Sequence, residues 1–175
     1  YGKRAVKHRS NQPECHIGYA FGLFGTGEIK KGWEEYDWRQ HPNRNQGVKW
    51  VHGIKRWSGE DLTGQSVLIC PEQGVGDEIL FANAIPDVLQ DAKHLYIGCD
   101  RRLVPLFQRS FPDATVGPYS DKRHNAFRYR LLPFLDELGA QPDYYIEAGS
   151  LGLYYRNSLT AFKDVDGGFL KPDTE

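Results

Sequence analysis

The feature that most constrains this chain is a continuous apolar run that ends in a glycine loop. Ser66-Val67-Leu68-Ile69-Cys70 follows Thr63-Gly64 without polar alternation, the pattern of a strand buried on both faces. Pro71-Glu72-Gln73-Gly74-Val75-Gly76-Asp77-Glu78 comes next. Its two glycines allow a sharp turn and close approach of another molecule to the backbone. A helix is expected from about Asp77 to Asp91, with an apolar face of Ile79 or Leu80, Ala84, Val88 and Leu89. Open α/β sheets place their ligands beyond the carboxyl ends of parallel strands. The unit therefore predicts an α/β fold that presents polar groups at the end of a strand.

The alternation continues downstream. His94–Gly98 reads as a second strand, Leu103, Leu106 and Phe107 mark a helix after Asp100, and Ala114-Thr115-Val116 is a third strand. Phe127–Leu138 is expected to be helical, Tyr144-Tyr145-Ile146 a fourth strand, and Gly149–Arg156 a loop opening a short helix. Strands joined through helices at this spacing imply right-handed crossovers and a parallel sheet.

Upstream, Ile17, Ala20, Phe21 and Phe24 share one helical face, and Gly25-Thr26-Gly27 breaks the helix in a turn that tolerates the left-handed region. Ile29, Trp33, Tyr36 and Trp38 are the bulky residues of a second helix. Gly18, Ala20 and Gly22 are expected to let the two approach. Such a hairpin cannot bury its own apolar faces, so it requires a neighbour. Arg39–Gly64 reads as an irregular connector pinned by Trp50 and Trp57. The expected division is a helical hairpin over residues 1–40, a connector over 41–64 and an α/β domain over 65–175.

Charge and cysteine usage narrow the function classes. A net charge of −1 argues against a protein that coats nucleic acid or anionic membrane. The interleaving of Lys49, Trp50, Lys55, Arg56 and Trp57 resembles a stacking platform for single strands, but without a basic field the connector reading is preferred. Lys3, Arg4, Lys7, His8 and Arg9 are read as a solvated basic stub rather than a binding arm. No apolar run approaches the roughly 18 residues of a membrane span. Cys15, Cys70 and Cys99 form no CxxC pair and suit a reducing compartment, so a cytoplasmic location is expected. Cys70 and Cys99 end adjacent strands and are expected to be inert buried neighbours. The lack of methionine and the tail Lys171-Pro172-Asp173-Thr174-Glu175 fit a segment of a longer protein.

Three chemistries compete for the glycine loop. Gly74-Val75-Gly76 opens a GxGxxG pattern, and Asp100 lies where a ribose-binding acid would sit. Ile79, however, holds the third glycine's place, and Asp77 and Glu78 would repel a pyrophosphate from the helix start. Asp77 also suits a general base, kept ionised by the helix dipole and able to accept a proton from a hydroxyl. It equally suits a plain helix cap. No HxxxH, HxH or Cys/His cluster offers a metal site, and Gly149-Ser150-Leu151-Gly152 lacks the GxSxG elbow.

Several unlike blocks occur in a telling order: Gly25-Thr26-Gly27-Glu28, Gly32-Trp33-Glu34-Glu35-Tyr36-Asp37-Trp38-Arg39, Trp57-Ser58-Gly59 and Glu72-Gln73-Gly74-Val75-Gly76-Asp77-Glu78-Ile79. Cys99-Asp100-Arg101-Arg102-Leu103-Val104-Pro105-Leu106-Phe107, Ser110-Phe111-Pro112, Ala148-Gly149-Ser150-Leu151 and Leu170-Lys171-Pro172-Asp173 follow. From about Pro13 onward the chain resembles bacterial tetratricopeptide-repeat proteins with a C-terminal glycosyltransferase-like domain. The resemblance implies the last repeat followed by the first Rossmann-like half of a GT-B fold, its acceptor side. In the similar heptosyltransferases a Gly-Asp pair opens the first helix and its Asp is the proposed base; Gly76-Asp77 matches it, with Pro86 later in the helix. Glu72, Gln73, Gly74, Val75, Gly76, Glu78, Asp100 and Ser150 are the substrate-binding candidates on this reading. It implies no resident cofactor and no metal, a nucleotide-sugar donor and an unknown acceptor as substrates, and protein partners on the repeat. The alternatives are a non-catalytic scaffold and a dinucleotide-binding domain.

Overall fold

A computed structural model describes residues 2–44, 47–125, 127–162 and 168–173; Thr174 and Glu175 of the expected linker lie outside the described residues. The helices and strands run α1 (Gly2–His8), α2 (Pro13–Gly25), α3 (Ile29–Tyr36), β1 (Gly47–Trp50), β2 (Lys55–Arg56), β3 (Ser66–Cys70), α4 (Val75–Phe81) and α5 (Ile85–Asp91). They continue with β4 (His94–Cys99), α6 (Val104–Ser110), β5 (Thr115–Pro118), β6 (Ser120–His124), β7 (Phe127–Leu131), α7 (Pro133–Glu137), β8 (Tyr144–Glu147) and α8 (Gly152–Tyr155). Two compact units result, residues 1–47 with 150–163 and residues 48–149 with 164–175. Among the described residues no helix is long and apolar enough to cross a membrane.

The first unit is helical. Pro13 opens α2 at a position where its missing N–H costs nothing. The helix closes in a Schellman motif: Glu28 N–H donates to the Leu23 carbonyl at 2.9 Å, Gly27 N–H donates to the Phe24 carbonyl at 3.1 Å, and Gly27 sits at φ +79°. The buried face of α2 is Pro13, His16, Ala20 and Leu23, whereas Phe21 is 60% exposed. The expected face is thus displaced by about one residue. The His16 ring explains the shift, since it stacks flat on Trp38 with centroids 3.6 Å apart and substitutes for an apolar side chain. The expected role of Gly18 and Gly22 is also corrected, because both face open space. Close approach comes from Gly32, where a Cβ would stand 2.5 Å from the Phe24 ring. Trp33 lies over Gly152 in the same way and donates its indole N–H to the Arg156 carbonyl at 2.7 Å.

The second unit is a Rossmann-like α/β layer built on a five-stranded sheet in the order β2-β8-β3-β4-β5, with every neighbouring pair parallel. β3 is central, with Ile69 opposite Ile97 of β4 and Ile146 of β8. Residues of β3 alternate between faces. Leu68 and Cys70 pack with Leu132, Phe134 and Leu135. Ile69 and Ile97 instead meet Ala82, Ile85 and Phe107. Gly98 and Gly117 let α7 and the residue before it settle on the sheet, since a Cβ there would reach within 2.6 Å of Leu132 and 2.2 Å of Phe134 respectively.

Four expectations are corrected here. The connector contributes β1 and β2, and β2 pairs through Lys55 and Arg56 with Tyr144 and Tyr145 of β8. Phe127–Leu131 is a strand, paired antiparallel with β6 in a three-stranded sheet ordered β1-β7-β6. Phe127, Tyr129 and Leu131 alternate with Arg128 and Arg130, a period of two, and Pro133 holds Leu132 out of the helical region. The helix after the glycine loop starts at Val75 and is interrupted over Ala82–Ala84, just ahead of Pro86, which cannot donate a backbone hydrogen bond. In that segment Leu80 is exposed, while Ile85 joins Ala84 and Val88 in the core.

Candidate functional site

Because all five strands run the same way, their carboxyl ends share one edge. Pro71–Gly74 follows β3, Asp100 follows β4, Tyr119 follows β5 and Ala148-Gly149 follows β8. Strand order reverses between β3 and β8, the point where such sheets place ligands.

The paired acids of the loop separate sharply. Consecutive residues on a helix point about 100° apart, so Asp77 and Glu78 cannot face the same way. Asp77 is exposed, and no hydrogen bond or ion pair engages its carboxylate among the described residues. The cap position belongs to Gly74, at φ −147° and ψ 165°, with no side-chain cap bond. Glu78 turns inward and is only 3% exposed. Its Oε2 accepts the Asp100 backbone N–H at 2.8 Å and its Oε1 accepts the Tyr119 hydroxyl at 3.1 Å. Burial pushes the Glu78 carboxyl up to about 7, against the lowering effect of those two donors and of Arg130.

Asp100 behaves in the opposite way. Its carboxylate accepts from Arg102 at Nε (2.9 Å), Nη2 (3.0 Å) and the backbone N–H (3.0 Å). Hydrogen bonding to Arg102 holds it down at about 2. Burial raises the Tyr119 phenol well above its ordinary range, so that hydroxyl stays a donor near neutral pH.

Glu72 is buried, its Oε1 accepting the Gly149 N–H at 2.8 Å and so tying the ends of β3 and β8 together. Gln73 is exposed, as is Gly76, and Gly74 and Val75 are half-buried. The structure therefore gathers Glu72, Gln73, Gly74, Val75, Gly76, Asp77, Glu78 and Asp100 on one edge of the sheet unit. Ser150 belongs to the helical unit, where its hydroxyl donates to Asp37 Oδ1 at 2.5 Å and accepts from Arg39 Nη2 at 3.0 Å.

Residues that sequence reasoning passed over complete the edge. Arg130 of β7 is fully buried. It donates from Nε to Asp121 Oδ1 at 3.0 Å, from Nη1 to the Glu72 carbonyl and from Nη2 to the Gln73 carbonyl at 3.3 Å. Its guanidinium lies 4.0 Å from the centroid of the Tyr119 ring. Arg128 reaches the Gln73 carbonyl at 3.3 Å and also pairs with Asp121. The signal was the arginine–aromatic alternation of β7, hidden by the helical reading. Arg56 of β2 likewise closes on the buried Glu147 at 2.8 Å.

Cys70 and Cys99 are free and buried, but alternation from the paired Ile69 and Ile97 puts them on opposite faces of the sheet, which corrects the expected neighbourhood. Burial raises both thiols, leaving neither a ready nucleophile. Among the described residues no group of three His, Cys, Asp or Glu is placed to hold a metal ion.

Comparison with known proteins adds one relationship. Protein FlbA of Caulobacter vibrioides is 32% identical over 154 residues, or 86% of this chain and 26% of FlbA. The chain thus spans about a quarter of that relative's length. No family model matches the chain, and no solved structure matches it.

Proposed function

We propose that the chain is the acceptor-side half of a GT-B glycosyltransferase linked to a tetratricopeptide repeat, with Asp77 as the base. The observation that carries this reading is the exposed Asp77 carboxylate on the carboxyl edge of a parallel sheet, engaged by no hydrogen bond or ion pair among the described residues and flanked by exposed Gln73 and Gly76. A carboxylate with no internal partner is free to accept a hydrogen bond from an alcohol. In the proposed inverting step the acceptor oxygen attacks the sugar's anomeric carbon and its proton passes to Asp77. The bond to the nucleoside diphosphate breaks, and that group leaves with the bonding pair. The donor would be held mainly by a second Rossmann-like half. Dinucleotide binding is less well supported, since Ile79 replaces the third glycine of the pattern.

The test is calorimetric titration of the complete natural protein with UDP-, GDP- and ADP-linked sugars. Binding is the expected result. Asp77→Asn should then lower kcat by a factor of about 10² to 10⁴ while leaving stability within about 0.5 kcal/mol. An unchanged kcat removes Asp77 from the mechanism.

A second reading, a protein-binding scaffold without catalysis, is favoured by a separate observation. The helical unit carries a groove of about 710 Å³ lined by Lys3, Arg4, Val6, Lys7, Tyr19, Leu23, Lys31, Glu34 and Glu35. Silence across the whole sugar panel would leave this reading standing and sink the first.

A further inference from the structure

The polar groups behind the loop form a closed circuit. Glu78 receives the end of β4 through the Asp100 N–H and the end of β5 through the Tyr119 hydroxyl. Arg130 lies against the Tyr119 ring and grips the consecutive carbonyls of Glu72 and Gln73. Those carbonyls lead along the chain through Gly74 and Gly76 back to Glu78. The glycine loop is therefore held on both sides of its two flexible residues.

We infer that Glu78 is a positioning residue that aims Asp77, and that Tyr119 and Arg130 act through it and through the loop carbonyls. The inference rests on the reading of Asp77 as the proton acceptor. Its physical basis is the helical offset of about 100° between neighbours. Anchoring Glu78 inward at two donors fixes the rotation of the first turn of α4, and that rotation fixes where Asp77 points. Without the anchor, Gly74 and Gly76 leave the turn free to rotate. A fully buried arginine is a costly way to fill space. Arg130 satisfies its donors with a carboxylate and two loop carbonyls, an arrangement suited to holding main chain in place.

The complete natural protein is the test object, with Glu78→Ala, Tyr119→Phe, the double variant and, as conservative rescue, Glu78→Gln. Amide hydrogen exchange of residue 78, whose N–H donates to the Gly74 carbonyl at 3.0 Å, should accelerate about tenfold or more in Tyr119→Phe and Glu78→Ala, with β3 and β4 amides unchanged. The double variant should exceed neither single variant by more than about twofold, as expected within one network. Glu78→Gln, which keeps an acceptor for the Asp100 N–H, should restore most of the protection. Release of nucleoside diphosphate from the sugar panel should show kcat falling with KM nearly constant. Exchange at residue 78 that stays at the wild-type rate, or that rises equally in the strands, overturns the inference. Absence of any sugar transfer by the wild-type protein overturns the glycosyltransferase reading alone, because the exchange measurements decide the circuit without substrate.

Discussion

Both units of this molecule bury arginine among the described residues, and Arg39 of the helical unit and Arg130 of the sheet unit are used differently. Arg39, 5% exposed, meets the Ser150 hydroxyl and Asp37, and lies 4.6 Å from the Tyr36 ring centroid. These partners come from neighbouring turns of its own chain segment and from the start of the returning segment. Arg130 is equally buried, but two of its contacts are carbonyls of a loop whose outer side, Gln73 and Gly76, is exposed. A network of side chains drawn from two segments holds those segments together. One that ends on exposed main chain shapes a surface.

The comparison can be broken by substitution. Arg39→Met should have the largest effect on stability, about 3–4 kcal/mol, because it takes the guanidinium from a largely buried Asp37 and leaves that carboxylate its uncharged Ser150 donor; urea denaturation followed by tryptophan fluorescence measures it. Arg130→Met should cost less, about 1–3 kcal/mol, since Asp121 is one-third exposed and keeps Arg128. Equal costs, or Arg39→Met leaving the midpoint in place, would erase the distinction between the two arginines.

Glu78 sharpens the comparison through pH. Its carboxyl sits at about 7 in the folded protein against an ordinary 4.5, so the folded state holds the proton more tightly than the unfolded chain. This contribution is fully present below about pH 4.5 and is lost as pH rises through about 7, to a total of about 3 kcal/mol. Glu78→Gln does not titrate. The variant should therefore gain stability relative to wild type across that window, by at most that amount, in denaturation curves collected from pH 4 to 8. A constant difference at all pH values would show that Glu78 is not held in its neutral form by the fold. The smallest effect expected is that of Gly27→Ala, about 1–2 kcal/mol for placing a side chain at φ +79° in the α2 cap.

Much of the sheet was legible because its strands carry their own signal. Ser66–Cys70 and His94–Cys99 are apolar enough to need burial on both faces, and that requirement places helices around them. β2 and β7 lack such a signal. Lys55-Arg56 becomes a strand by lying beside β8, and Arg130 becomes buried because Asp121 and two carbonyls are waiting for it. Such partners lie outside the strand's own residues, so even the period of two in β7 does not reveal them. At the site, the sequence named both acids of the Asp77-Glu78 pair without telling them apart. Which one turns inward is decided by the ends of β4 and β5, and that information lies in Asp100 and Tyr119.

The opposed placement of Cys70 and Cys99 has a practical consequence. One thiol lies under the α7 side of the sheet and the other under the α4–α6 side, so oxidation cannot join them within the folded chain. Each is instead a native chemical clock for its own layer, modified only when the elements above it lift away, and the half-exposed Cys15 supplies the reference rate of an open thiol.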